Sequence, residues 1–293
     1  MTEAERHVEA RHAEARDRDA RDWDARDYAA HSNAQQEWAR ELIGKLRLRG
    51  DEDVLDIGCG DGRATALIAE RLPEGSVLGV DNSASMIACA EEQFPPPSAS
   101  QAHASASRSA HSNLRFRLMD AARLELPRGF DVAFSNAALH WVQDHEAMLR
   151  GVHACLRPGG RLLFQMGGRG NAAEVRAVVD ELVACAPWRD SFRGFSSPYR
   201  FCDPDDYEAW LPRAGFRALH AELVDKDMQH ADGEAFRGWL RTTWFPYMDR
   251  LPAARRGAFL DELATSYLAA HPADELGVIH VGMVRLEVEA EVA

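Results

Sequence analysis

Hydrophobic and polar positions recur along the chain with two different periods, and together they predict an α/β protein. Runs with the length and composition of β-strands stand at 54–57, 76–80, 114–118, 130–135, 161–165, 216–224 and 277–289. Segments with a helical period follow the first, second and fourth of these runs, at 63–72, 83–93 and 144–155. Because strands alternate with helices, we expect a parallel sheet with helices on both faces.

The C-terminal part of the chain has another pattern, in which a long helical segment separates the last two predicted strands. Helices are predicted at 172–188 and 207–214, and the stretch between them has the character of an aromatic loop. The segment 228–272 is mostly helical and rich in aromatic residues. We expect this segment to form a helical lid over a substrate site.

Two segments lack the large apolar residues that a packed core requires. Residues 1–22 are mostly Ala, Arg, Glu, Asp and His, which predicts a charged N-terminal extension that is either a solvated helix or a tail. Residues 95–113 are mostly Pro, Ser, Ala and His, which predicts a disordered insertion. We expect the chain from 23 to 293 to form a single domain that contains this insertion.

Composition and charge argue against several functional classes. The 293 residues carry a formal net charge of −13, which disfavours a nucleic-acid partner because phosphate binding requires a basic surface. No apolar run approaches the roughly 18 residues of a membrane span, and the first residues lack the pattern of a signal peptide, so we expect a cytoplasmic protein. The five cysteines are scattered without a zinc-binding spacing, so we expect reduced thiols and no metal.

The first predicted strand runs directly into the glycine turn Gly58-Cys59-Gly60-Asp61-Gly62, which precedes a helix. Such a turn lets a ligand approach the backbone, and the helix N-terminus offers free N–H groups. The spacing is G-x-G-x-G, unlike the G-x-G-x-x-G of dinucleotide sites, and Asp56 and Asp61 add carboxylates that would repel a pyrophosphate. A ligand with a cationic amino group would be attracted, and S-adenosylmethionine carries both an ammonium and a sulfonium.

Polar side chains follow four of the predicted strands at the point where each strand ends, at Asp56, Asp81, Asp120 and Asn136. The carboxyl ends of parallel strands meet at one edge of a sheet, so we expect these groups to converge there. Asp81 stands about twenty residues after the glycine turn, where an acid can accept hydrogen bonds from both ribose hydroxyls. Asp120 can accept from an adenine amino group or cap a helix.

Four of these features resemble the class I S-adenosylmethionine-dependent methyltransferases. They are V-L-D-I-G-C-G-D-G, the acid after the second strand, F-D-V-A-F-S-N-A and L-R-P-G-G-R-L-L, and the resemblance continues in order from about residue 23 to 289. It implies a Rossmann-like seven-stranded, mostly parallel sheet with helices on both faces, an antiparallel last strand and a helical lid inserted before it.

Three shorter stretches resemble a narrower group, the trans-aconitate methyltransferases. They are W-x-x-x-x-Y at Trp23 and Tyr28, N-A-A-L-H-W-V-Q-D-H from Asn136, and W-L-R-T-T from Trp239. The L-H-W-V-Q-D part is also similar to juvenile hormone acid methyltransferases. Both groups esterify a carboxylate, so the resemblance implies a small carboxylic acid as the methyl acceptor.

The resemblance also implies S-adenosylmethionine as the cofactor and assigns roles by position. The first loop wraps the methionine part, Asp81 holds the ribose, Asp120 and Ala121 flank the adenine, and Asn136 stands beside the reacting sulfonium. The cofactor residues implied in this way are Tyr28, Asp56, Gly58, Gly60, Asp81, Asn82, Asp120, Ala121 and Asn136.

Candidates for the acceptor side follow from the chemistry of an anion. A carboxylate acceptor is already ionised at neutral pH and needs no base, but it needs donors. His140, just past the fourth strand, is the candidate catalytic donor to the acceptor oxygen, with Trp141 shaping the pocket. Trp239 and Arg241 of the lid are candidate substrate residues, since Arg can bind a carboxylate bidentately. A packed imidazole and a solvated arginine are the competing interpretations.

The sequence therefore predicts methyl transfer from S-adenosylmethionine to a small-molecule carboxylate. Two alternatives stay open: a natural-product methyltransferase with a hydroxyl or carbon acceptor, which would use a base such as His140, and a non-catalytic S-adenosylmethionine-binding protein. A nicotinamide oxidoreductase is disfavoured by the glycine spacing and the acidic turn.

Overall fold

A computed structural model describes residues 33–95 and 112–293, and these form a seven-stranded sheet flanked by helices. The strand order is β3-β2-β1-β4-β5-β7-β6. In chain order the strands are β1 (Asp53–Ile57), β2 (Ser76–Asp81), β3 (Leu114–Leu118), β4 (Phe130–Asn136), β5 (Leu156–Gly167), β6 (Phe216–His230) and β7 (Ile279–Val292). The predicted extension at 1–22, Tyr28, and residues 96–111 of the predicted insertion lie outside the described residues.

Strands β1 to β5 run parallel to one another, whereas β7 runs antiparallel to both β5 and β6. The predicted Rossmann-like sheet with an antiparallel last strand is therefore confirmed. The chain order reverses at β1, which lies between β2 and β4. In open α/β sheets, ligands bind outside the carboxyl ends of the strands at such a reversal, so the topology itself selects the position of a site.

Helices cover both faces of the sheet, as the alternating pattern predicts. They are α1 (Asn33–Lys45), α2 (Arg63–Ala69), α3 (Ala84–Gln93), α4 (His145–Cys155), α5 (Ala173–Ala184), α6 (Pro204–Arg213), α7 (Gly233–Thr243), α8 (Phe245–Asp249) and α9 (Ala253–Ala270). On one face α1 and α2 pack against β1 and β4 through residues such as Leu42, Ile68 and Phe134. On the other face Leu149 of α4 belongs to a core shared with β1 and β4, and α6 extends this core over β6 and β7 through Leu211.

The segment between β6 and β7 contains α7, α8 and α9, which share a separate aromatic core with α5. In that core Trp188 packs edge-on against Phe259, and the ring of Phe236 packs at a tilt against that of Tyr267. Among the described residues, no helix combines the length and apolar composition that crossing a bilayer requires.

Several boundaries differ from the sequence prediction because pairing extends the elements. Strand β6 continues to His230, rather than ending near 224, because it pairs with β7 as far as Ile279. Residues 156–160, predicted as a turn, belong to β5, with a shift of register where the strand pairs with β4. The helix predicted at 172–188 ends at Ala184, and the next helix begins earlier than predicted, at Pro204.

Strand β7 carries charged residues that are buried, although their alternation with apolar residues is typical of a half-exposed strand. Arg285 lies over the ring of Trp38 in α1, 4.4 Å from its centre. The Glu287 carboxylate accepts hydrogen bonds from Lys45 Nζ at 2.6 Å and from Gln165 Nε2 at 2.9 Å. Helix α1 therefore covers the polar side of β7 by supplying a cation and an aromatic face.

We expect Lys45→Met to lower the free energy of unfolding by about 1–3 kcal/mol, because it leaves the buried Glu287 carboxylate without its cation. Chemical denaturation measures this loss. In the exposed pair of Arg213 with Glu146, Arg213→Met should change the free energy by less than about 1 kcal/mol. Equal losses in the two variants would contradict a stabilising role for the pair beneath α1.

Candidate active site

A large cleft opens at the carboxyl edge of the sheet, where the topology places a ligand. The loops that follow β1, β2, β3 and β4 form one wall, which we call the cofactor wall. A second part of the lining, which we call the lid wall, is formed by residues between 194 and 198 and between 245 and 256. The cleft has a volume of about 1930 Å³, more than the ~300–1,000 Å³ typical of one ligand pocket, so it has room for two ligands side by side.

Three glycines of the turn after β1 have left-handed backbone conformations, and close contacts hold the turn in place. Gly58, Gly60 and Gly62 have φ values of 73°, 54° and 82°. The N–H groups of Gly58 and Cys59 both donate to the carbonyl of Val80 at the end of β2, at 2.7 and 3.0 Å. A Cβ on Gly58 would lie 2.1 Å from the methyl group of Ala138, so only glycine allows this turn to pass over the loop that follows β4.

Asp81 connects the glycine turn to the end of β2. One carboxylate oxygen accepts from the N–H of Gly60 at 2.9 Å, and the other accepts from the N–H of Ser83 at 2.9 Å. Each carboxylate oxygen has a further lone pair and can still accept from a ligand hydroxyl. The acid is therefore fixed in position by the protein itself.

Asp56 lies beneath the turn and is almost fully buried. Burial raises the pKa of its carboxyl to about 7, an effect that the charge of Asp81 increases and a hydrogen bond from Thr65 opposes. That bond joins Thr65 Oγ1 to Asp56 Oδ2 at 2.7 Å. A carboxyl with such a raised pKa gains most from a cation placed beside it, because the cation stabilises the ionised form.

Asn136, the last residue of β4, presents a buried side-chain oxygen to this region. Its Oδ1 atom has no hydrogen-bond partner among the described residues, although Asn136 lines the cleft. A buried acceptor without a donor is costly, so this atom fits a ligand that brings an N–H group.

Asp120 is both a cap and part of the cleft. Its side chain accepts from the N–H of Ala122 at 2.9 Å and so begins the short 3₁₀-helix Ala121–Arg123. Asp120 and Ala121 line the cofactor wall beside the loop that carries Asn82.

The structure thus brings together eight of the nine cofactor residues that the sequence implies, and Tyr28 lies outside the described residues. The eight that line the cleft are Asp56, Gly58, Gly60, Asp81, Asn82, Asp120, Ala121 and Asn136. Within the described part of the chain, no group of three His, Cys, Asp or Glu residues is arranged to hold a metal ion.

His140 lies behind the cleft rather than on its surface. Its Nδ1 atom accepts from the N–H of Gly167 at 3.3 Å, and its carbonyl accepts from the N–H of Arg200 at 2.8 Å. Burial lowers the pKa of the imidazole to about 3, so the ring is neutral and carries its proton on Nε2. This placement does not support the predicted donation to an acceptor oxygen, and it makes His140 a support for the loop that carries Trp141.

Trp141 does line the cleft, and it belongs to a group of packed aromatic rings. It stacks on Phe245 of α8 with 5.5 Å between ring centres and approaches Tyr199 at 4.7 Å. Phe245 and Phe195 also line the cleft. An apolar aromatic wall therefore faces the end of β4.

The two lid residues predicted for the substrate do not line the cleft. Trp239 is buried in the aromatic core that α7, α8 and α9 share with α5, and its ring centre lies 6.5 Å from that of Trp244. Arg241 is exposed on α7. The lid wall of the cleft instead carries Phe245, Arg250 and Arg256, which the sequence reasoning missed. The stretch from Trp244 to Arg250 combines aromatic and charged residues, and this local composition was the signal available for finding them.

Comparisons of the sequence and the fold with known proteins find a matching family, curated relatives and similar solved structures. Residues 55–164 match a family described as a methyltransferase domain. The trans-aconitate 2-methyltransferase of Variovorax paradoxus is 32% identical over 244 residues, covering 80% of this chain and 84% of the relative. The enzyme of the same name from Methylobacterium radiotolerans is 29% identical over 238 residues, with the same coverage. The YcgJ protein of Bacillus subtilis has a similar fold, with a TM-score of 0.55 and 18% identity over 87% of this chain and 98% of that chain.

We expect Gly58→Ala to lower the free energy of unfolding by about 2–5 kcal/mol, because the new methyl group overlaps Ala138 and the backbone stays left-handed. Gly44 in α1 has no neighbouring atom within 4 Å of the position that a Cβ would take, so Gly44→Ala should raise the free energy by about 0.5–1 kcal/mol. Chemical denaturation of the two variants measures both changes. A Gly58→Ala protein as stable as the wild type would contradict the contact described here.

Proposed function

We propose that this chain, which belongs to the methyltransferase family, transfers a methyl group from S-adenosylmethionine to a carboxylate of a small organic acid. The cofactor supplies an electrophilic methyl group on a sulfonium. Relatives that cover most of this chain are trans-aconitate 2-methyltransferases, which supports a di- or tricarboxylic acid as the substrate class.

The cofactor wall supports specific roles for its polar groups. The Asp56 carboxylate offers negative charge, and Asn136 Oδ1 offers an unpaired acceptor. Both suit the part of the cofactor that carries the ammonium and the sulfonium. Asp81 accepts from the ribose hydroxyls while the backbone holds its carboxylate in place. Asp120 and Ala121 flank the adenine, with Asn82 beside the ribose.

The composition of the cleft lining supports a carboxylate as the methyl acceptor. Among the described residues that line the cleft there is no histidine, lysine or tyrosine, so a base for a hydroxyl or carbon acceptor would have to come from the carboxylates of the lining. His140 is neutral and turned to Gly167, and Asp56 is bonded to Thr65. A carboxylate acceptor is already ionised at neutral pH and can attack the methyl group without a base.

Proximity and exclusion of water then supply the acceleration. Trp141 and Phe245 form an apolar surface at the end of β4, which favours a transition state in which the charges of a carboxylate and a sulfonium cancel. Holding the two reactants in line converts an encounter in solution into a step within one complex.

The proposal is tested by incubating the purified protein with S-adenosylmethionine and a panel of acceptors, with S-adenosylhomocysteine as the product measured. We expect turnover with di- or tricarboxylic acids and formation of their monomethyl esters. The panel includes phenols, alcohols and β-dicarbonyl compounds. Turnover with these acceptors alone, or cofactor binding without turnover on any acceptor, would overturn the proposal.

The raised pKa of Asp56 predicts how cofactor affinity depends on pH. Below pH 7 the carboxyl is protonated and must release its proton when the ammonium binds, so affinity should rise by up to about tenfold per unit between about pH 5.5 and pH 7 and then level off. Calorimetric titration with S-adenosylhomocysteine measures this dependence. In Asp56→Asn the affinity should be weaker and independent of pH over this range. An equal slope in both proteins would show that another group is responsible.

A further inference from the structure

We infer that Arg250 and Arg256 of the lid wall bind the carboxylates of the substrate that are not methylated, with Arg250 as the principal contact. This inference rests on the proposed function and names the part of the cleft that selects a polycarboxylate. It differs from the sequence prediction, which assigned this role to Arg241.

The cofactor wall is unsuited to a polyanion because it is acidic. It carries Asp56, Asp61, Asp81 and Asp120 against two arginines, Arg63 and Arg123, and Arg63 is engaged by Asp61 in an ion pair of 2.6 Å. These carboxylates suit a cationic cofactor and repel a second carboxylate. A polycarboxylate that reaches the methyl group must therefore place its remaining charges against the other wall.

The lid wall has the opposite balance of charge. Its charged residues among those described as lining the cleft are Asp249, Arg250 and Arg256, which give two positive charges against one negative. Asp249 forms an ion pair with Arg256, with 3.7 Å between Oδ1 and Nη1, so one positive charge of this wall remains in excess. Arginine is suited to this role because its planar group binds a carboxylate through two parallel hydrogen bonds.

Both arginines are anchored in ways that leave donor groups for a ligand. Arg256 donates from Nε to the carbonyl of Leu251 at 3.1 Å, which fixes the direction of the side chain. Arg250 lies over the ring of Phe195, 5.8 Å from its centre. Because Phe195 also lines the cleft, its ring holds the guanidinium at the surface that a substrate would meet.

The distance from the aromatic wall suits a small acid. Phe245 stacks on Trp141, and Arg250 follows Phe245 by five residues along α8 and its C-terminal end. With a rise of about 1.5 Å and a rotation of about 100° per residue, the two positions lie about 7.5 Å apart along the axis and on different sides of the helix, and both line the cleft. An acid whose reacting carboxylate lies at Trp141 can therefore extend a second carboxylate towards Arg250.

The test is calorimetric titration of the S-adenosylhomocysteine complex with trans-aconitate, which cannot be methylated in that complex. We expect Arg250→Ala to weaken trans-aconitate binding by about tenfold or more, because a charge-assisted hydrogen bond is lost. Affinity for S-adenosylhomocysteine should not change. Arg250→Lys should recover part of the loss, since it keeps the charge without the planar group.

Arg241→Ala removes the same charge from an arginine that is exposed like Arg250 but lies outside the cleft lining, so its effect should be less than about twofold. A second comparison uses crotonate, which has a single carboxylate. Arg250→Ala should lower kcat/KM for trans-aconitate at least tenfold more than for crotonate, because crotonate leaves the proposed subsite empty. Arg256→Ala should act in the same direction with a smaller effect.

The outcomes separate this inference from the proposed function. The wild type could methylate polycarboxylates while Arg250→Ala binds trans-aconitate as tightly as the wild type does. In that case the assignment of the subsite to Arg250 is wrong, and the proposed function is unaffected. A larger loss in Arg241→Ala than in Arg250→Ala would also overturn the subsite. If the wild type neither binds nor methylates any carboxylate of the panel, the proposed function fails first.

Discussion

The approach of the Gly58 backbone to the methyl group of Ala138 is the constraint on which the rest of the cleft depends. It brings the loops after β1 and β4 together, while the carbonyl of Val80 receives the N–H groups of Gly58 and Cys59 from β2. Three neighbouring strand ends are thereby fixed relative to one another. Because the Asp81 carboxylate also accepts from the turn, the groups that meet a cofactor are preorganised before it binds, and binding does not have to supply that order.

The charge of the chain then divides the cleft into two environments. A net charge of −13 suits a cationic cofactor, whereas the carboxylate substrate proposed above would need local donors where it binds. The cofactor wall concentrates carboxylates, and burial raises the pKa of Asp56 to about 7. The lid wall carries Arg250 and Arg256. Both walls line one cleft, which suits the proposed reaction of a cationic cofactor with an anionic acceptor.

Much of this architecture could be predicted from the sequence, because the relevant information is local. A strand followed by a polar residue gives the position of Asp81 or Asn136, and the geometry of parallel strands then brings these residues to one edge. The acceptor side depends on contacts between distant segments. His140 lies behind the cleft because its ring accepts a hydrogen bond from Gly167, whereas Trp141 faces the cleft and stacks on Phe245. The burial of charges on β7 likewise depends on α1, which the strand's own pattern does not reveal.

The character of the lining explains how such a site can work without a dedicated base. A nucleophile that must lose a proton requires a group of matched pKa at the point of attack, whereas an ionised carboxylate requires only orientation and a dry surface. In this cleft the imidazole of His140 is withdrawn into the protein with a pKa of about 3, and the ring of Trp141 takes the exposed position beside it. The loop after β4 therefore presents an apolar face to the cleft, which suits the proposed carboxylate acceptor because such an acceptor is already ionised.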